Sequence, residues 1–203
     1  MQSSSKIKKL FIPFIVILNS MLLGNIGEKK VSFLFEGNRG LFKPAIRSFS
    51  QIYGDNTYIN GLGLGIGWKS TFLIAKYKQF EVNGKSILSG IDLEGEATWK
   101  EEFSILGIRH YDGFLFTEIG YVLNSVEETI TTNQPLYLAL NSSHSTNKNE
   151  GLSIDLGLNV PIGKFLFFAD MNYIYVLSST QYDSDDKKNV GGLMLGLGVT
   201  FNL

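Results

Sequence analysis

Seven ionisable residues fall on one side of segments in which apolar and polar side chains alternate: Glu36, Lys76, Lys78, Arg109, Glu118, Asp155 and Asp170. A strand sends successive side chains to opposite faces, so positions an even number apart share a face. Four acids and three bases on one inner face could neutralise one another as a buried ion-pair network, or could pass a proton or small ion. If that face encloses a narrow space with room for side chains but no broad water channel, the network is the expectation.

Other chemistry finds less support. The absence of Cys removes thiol nucleophiles, thiolate ligands and disulfides. A hydroxyl nucleophile needs a His and an acid beside it. Yet His110 adjoins the turn signal Tyr111-Asp112-Gly113, and His144 lies in a polar run, residues 141–149, expected to be a solvated loop. Asp183, Asp185 and Asp186 gather oxygen atoms but lack the Gly and distal Glu of a calcium loop, and Lys187 and Lys188 follow at once. In the run Gly61-Leu-Gly-Leu-Gly-Ile-Gly67 the glycines occupy every second position, whereas a dinucleotide fingerprint is G-x-G-x-x-G. No catalytic residue, cofactor or metal is therefore assigned.

The elements that must hold the seven residues are strands. Three tight turn signals, Trp68-Lys69-Ser70, Tyr111-Asp112-Gly113 and Pro161-Ile162-Gly163-Lys164, alternate with four long polar stretches near residues 39–56, 82–99, 124–150 and 178–189. The segments between them suit strands of ~9–11 residues, the length that crosses a bilayer at a tilt. Eight such strands fit. Hydrocarbon cannot satisfy free backbone N–H and C=O groups, so the predicted fold is all-β: an eight-stranded antiparallel up-and-down transmembrane β-barrel with tight turns at one end and four loops at the other.

Three registers are expected. A Lys69-Ser70 turn sets Gly67, Gly65, Gly63 and Gly61 opposite Phe72, Ile74, Lys76 and Lys78, so absent side chains make room for large ones. Asp112-Gly113 at a turn centre pairs Leu106 with Ile119, leaving Arg109 diagonal to Glu118. Ile162-Gly163 at a turn centre pairs Leu158 with Phe167 and sets Asp155 directly across from Asp170. In the first long stretch, Ile46, Phe49 and Ile52 or Tyr53 recur at helical spacing between Pro44 and Gly54, which predicts a short helix over the barrel rim.

At the N-terminus Lys6, Lys8 and Lys9 precede the apolar run Leu10 to Leu23 and small or polar residues to Gly27. That run would span roughly 21 Å as a helix, short of the ~30 Å hydrocarbon core, so residues 1–27 read as a secretory signal and 28–203 as one barrel domain. Removing three lysines from 18 basic residues leaves 15 against 19 acids, a net charge of −4 that argues against nucleic acid as a partner.

Leu193, Leu195, Leu197, Val199, Phe201 and Leu203 form a strict apolar stripe to the chain end. This resembles the terminal signature of bacterial outer-membrane barrels, which usually ends in an aromatic residue. Together with Gly40-Leu-Phe-Lys-Pro44, Ile52-Tyr53-Gly54 and Leu106-Gly-Ile-Arg109, the topology resembles the small outer-membrane β-barrel family of opacity-type surface proteins, similar in architecture to the OmpA and OmpX barrels. The resemblance implies an outer-membrane location, contact with lipid and lipopolysaccharide, and recognition of the C-terminal strand by the barrel-assembly machinery. It also implies a non-enzymatic structural or surface-interaction role, in adhesion or envelope integrity, with a surface ligand met by the loops. Alternatives are a porin-like small-solute channel of the OmpW kind, a lipid A-modifying barrel enzyme, and a secreted lipocalin-like barrel with its apolar residues inside.

Overall fold

The computed structural model describes residues 31–88, 93–132, 141–180 and 183–202. The expected signal, residues 1–27, and Leu203 lie outside the described residues. The elements are β1 (Val31–Pro44), α1 (Arg47–Tyr53), β2 (Thr57–Trp68), β3 (Thr71–Leu88), β4 (Leu93–Asp112), β5 (Leu115–Thr131), β6 (Ser142–Ile162), β7 (Phe165–Thr180), β8 (Asp183–Asn189) and β9 (Gly192–Asn202). Neighbouring strands pair antiparallel from β1 to β7, β9 pairs with β7, and β1 pairs with β9. The wall is thus a closed eight-stranded barrel. Among the described residues β8 pairs only with the far end of β7 and is not part of that wall.

Each tight turn places its first central residue in the left-handed region: Lys69 at φ 55°, Gly113 at φ 60° and Gly163 at φ 63°. The β2–β3 register is the expected one, with Gly63↔Lys76 and Gly61↔Lys78. The other two expected registers are corrected by two residues. Gly113 and Gly163 sit first in their turns, followed by Phe114 and Lys164, so Asp112 pairs with Leu115 and Ile162 with Phe165. Glycine takes the first central position because positive φ costs it nothing there. A two-residue shift preserves faces and changes partners. Arg109 now stands directly opposite Glu118, while Asp155 faces Asn172 and Asp170 faces Gly157.

The long polar stretches are also corrected, since much of each is strand. β3 runs to Leu88, β4 starts at Leu93, β5 reaches Thr131 and β6 begins at Ser142. Along β4 and β5 alternation continues with its phase inverted. On β4, Leu106 is an exposed outward residue whereas Ile105, Phe103, Trp99 and Ala97 are buried inside. On β5, Ile119 and Leu123 face outward, and Val122, Val126 and Ile130 face inward. Towards the tight turns the outer face is apolar; beyond the flip it carries residues such as Lys100 and Glu102, which pair at 2.9 Å. Exposed outward tyrosines mark that boundary, with Tyr58, Tyr77, Tyr173 and Tyr175 among them, while Phe114 and Phe165 lie outward at the tight-turn end. An apolar band flanked by aromatic residues is what a lipid-facing barrel wall carries.

Three layers fill the inside. At the tight-turn end, Leu34, Phe72 and Ile74 pack with Tyr111. At the far end, Phe42, Phe80, Trp99, Phe103 and Met194 belong to a large apolar cluster. The expected helix α1 feeds Phe49 and Tyr53 into this cluster, where Phe49 packs edge-on against Trp99 at 5.5 Å between ring centroids. It therefore contributes to the interior and is more than a cover on the rim. Between the apolar layers lies the charged one.

Candidate functional site

Adjacent strands supply the charged layer: Glu36 from β1, Lys76 and Lys78 from β3, Arg109 from β4, Glu118 from β5, Asp155 from β6 and Asp170 from β7. All seven are buried, none more than 6% exposed. Lys76 is the hub. Its Nζ lies 2.6 Å from Glu118 Oε1, 2.9 Å from Asp155 Oδ2 and 3.9 Å from Glu36 Oε1. Arg109 forms the second junction, its Nη1 donating to Glu36 Oε2 at 2.7 Å and to the Tyr111 hydroxyl at 3.1 Å, and its Nε to Glu118 Oε2 at 2.9 Å. The guanidinium carbon also lies 4.3 Å from the Phe116 ring centroid, where the ring face attracts a cation.

Gly63 makes this packing possible. It sits between Glu36 and Lys76 in the register, and a Cβ there would lie 2.6 Å from Glu36 Cγ. The glycine run is a steric device, as its alternate spacing implied.

Five of the seven residues, Glu36, Lys76, Arg109, Glu118 and Asp155, thus form one connected network. Lys78 stands apart, donating to Asn172 Oδ1 at 3.2 Å and approaching Met194 Sδ at 3.3 Å. Asp170 makes no hydrogen bond or ion pair among the described residues, and neither does Asp155 Oδ1.

Sequence reasoning missed a polar group above the flip. Glu101 is fully buried, accepting from Trp99 Nε1 at 3.1 Å and Asn124 Nδ2 at 2.8 Å. Burial pushes its carboxyl up to about 8, with the two donors opposing. Glu128, also raised by burial, accepts from the Tyr53 hydroxyl at 2.9 Å and so ties α1 to β5. Both lie an even number of residues from inward neighbours, Arg109 and Glu118, and that spacing was the available signal.

The histidines are far from one another in the topology. His110 faces outward near the tight turns, its Nδ1 3.0 Å from Thr71 Oγ1. His144 is corrected from a solvated loop to a half-buried position on β6 opposite Glu128. Asp183, Asp185 and Asp186 lie on β8. Among the described residues no three His, Asp or Glu side chains are grouped to hold a metal ion. The arrangement fills and neutralises a closed interior, with acids exceeding bases by one.

A closed eight-stranded antiparallel barrel with an apolar, aromatic-flanked outer band and a charged, filled interior defines the architecture of the small outer-membrane barrels. The attachment invasion locus protein Ail of Yersinia pestis has this fold. It matches with a TM-score of 0.50 at 10% identity, over 87% of this chain and 100% of Ail. The N-terminal β-barrel domain of Pseudomonas aeruginosa OprF matches with a TM-score of 0.43 at 16% identity, over 87% of this chain and 100% of that domain. Neisserial surface protein A matches with a TM-score of 0.44 at 11% identity, over 85% and 98%. At these identities the likeness is one of fold. No protein-family profile matches the sequence, and no curated protein matches it.

Proposed function

We propose that the protein is an integral outer-membrane protein whose barrel is a filled anchor and whose work is surface interaction, carried by the extension beyond the tyrosine boundary. The observation that supports this reading is the continuation of β3, β4, β5 and β6 as a paired sheet beyond the apolar band. Its outer face is polar, and its inner face carries Phe103, Trp99, Val126 and Ile130 with Glu101, Asn124 and Glu128 buried among them, the arrangement of a sheet standing in water. Beyond the band β6 joins the sheet through β5, while its ladder with β7 begins at Gly151. α1 packs against β3 on the inner side, where the Ile52 carbonyl lies against Gly84.

On this reading the tight turns face the periplasm, β9 is the segment the assembly machinery takes up, and lipid with lipopolysaccharide surrounds the band. The rival channel needs an open gallery. Here the apolar end is packed with Phe42, Phe49, Phe103 and Trp99, which argues against solute passage. The test is an epitope tag inserted in the β5–β6 connection of the full chain. Antibody should label intact cells, and labelling only after permeabilisation would invert the orientation.

A further inference from the structure

The outer wall carries one dent that its own packing does not require. At Gly37 an added Cβ would meet only ordinary contact, with Leu62 Cδ2 at 3.8 Å. At glycines of the inner face such as Gly63, Gly157 and Gly198, a Cβ would collide with a neighbour. Gly37 faces outward, between Leu62 on β2 and Val199 on β9, with Tyr77 and Phe167 one strand further on either side. Around it lies an open groove of about 760 Å³.

The groove changes character along its length. Its floor and walls near Gly37 are apolar, while towards the extracellular end on the proposed orientation Arg39, Asn60 and Gln79 line it. No acid lines it. Arg39 forms no ion pair among the described residues and rests its guanidinium 4.8 Å from the Tyr58 ring centroid, which orients the group without neutralising it. Lys43 is exposed four residues further along the same strand face. A cation with hydrogen-bonding neighbours at the membrane boundary, above an apolar slot, is complementary to a phosphate attached to an acyl chain.

We propose that this groove binds one phosphorylated acyl lipid of the outer leaflet, of the lipid A type, with a chain lying over Gly37 and a phosphate held by Arg39. The proposal rests on the membrane reading above, which solubility of the folded chain without detergent would remove independently. The full chain, folded in non-ionic detergent, is mixed with lipid A and examined by native mass spectrometry. One retained lipid A per barrel is expected, and retention should fall at least tenfold in Arg39→Gln and in Gly37→Leu. Lys164→Gln, which removes a cation at the opposite end, should retain lipid A as the wild type does. Lipid A stripped of its phosphates should not be retained, and phosphatidylglycerol or inorganic phosphate should fail to displace it at equal concentration. Equal retention by the Arg39 and Gly37 variants would mean annular lipid only and would overturn the proposal. Retention of the phosphate-free lipid, or displacement by phosphatidylglycerol or inorganic phosphate, would overturn it too. Heat-modifiable migration checks that each variant is folded; if Gly37→Leu is not, Gly37→Ala fills part of the slot with only the 3.8 Å contact to absorb, and it must then lower retention.

Discussion

Replacing Lys76 by Met removes the cation around which three carboxylates gather. Methionine is close to lysine in length, and the place opposite is Gly63, so the change is one of charge more than shape. Glu36 and Glu118 keep Arg109 at 2.7 and 2.9 Å. Asp155 keeps no direct partner among the described residues: its Oδ2 loses the 2.9 Å contact to Lys76, and its Oδ1 had none to begin with. Leaving one member of a buried pair uncompensated costs ~3–5 kcal/mol. Asp155→Asn is milder, since an amide oxygen can still accept from Lys76 while the amide nitrogen takes the unpartnered position, at a cost of ~1 kcal/mol. In the double variant the orphaned charge is gone, so the loss should be smaller than the sum of the single losses by about 2 kcal/mol. The assay is urea unfolding of the chain folded in phosphatidylcholine vesicles, followed by fluorescence of Trp68 and Trp99, with heat-modifiable migration as the folding check. Single losses that add within ~0.5 kcal/mol would show that Lys76 and Asp155 are not coupled and would sink the network as drawn.

Arg in place of Leu156 or Leu195, both exposed on the apolar band, should cost ~2–4 kcal/mol in vesicles if the site lies near the midplane. Arg at Gly196 should instead prevent folding, because even a Cβ there meets Asp170 Oδ1; a folded Gly196→Arg barrel would contradict the inward assignment. Glu101 gives a pH prediction. Its folded carboxyl is raised to about 8 from 4.5, so the folded state holds a proton that the unfolded state releases. Its stability contribution is therefore full below the unfolded value and declines by about 1.4 kcal/mol per pH unit as pH rises towards the folded one. Glu101→Gln should flatten that decline in unfolding free energy between pH 5 and 8, and an unchanged slope would refute the assignment.

The architecture was legible because a lipid-facing barrel must alternate, and turns must fall where alternation stops. Closure, the β2–β3 register and the helix between Pro44 and Gly54 all followed from spacing. Two registers were misjudged for one reason. Asp112-Gly113 was read as the centre of a turn, although a glycine serves equally well as its first residue, with Phe114 second. That choice moves partners by two and leaves every side chain on its face, so burial of the seven charged residues was readable while their pairings were not. Glu118 opposite Arg109, and Asn172 opposite Asp155, needed coordinates.

The ends of the strands were hidden by a change of solvent. Within lipid the outer face must be apolar, so polar stretches looked like loops; in water the same strand needs a polar outer face and an apolar inner one. The sequence Phe103-Ser104-Ile105-Leu106-Gly107-Ile108 contains the change in two adjacent residues, Ile105 buried inside and Leu106 exposed outside. A slipped register or a bulge could also produce two apolar neighbours. Here β4 pairs with β3 and β5 without interruption through both residues, which excludes those causes. The adjacent pair therefore marks where the surroundings change, and it does so beside Tyr77 and Tyr121, which face outward opposite Ser104 and Leu106. On the proposed outer-membrane reading, the phase of alternation marks the edge of the lipid-facing band more closely than hydropathy could. It also assigns the buried polar residues beyond it, Glu101, Asn124 and Glu128, to the part of the barrel that lies past the apolar band.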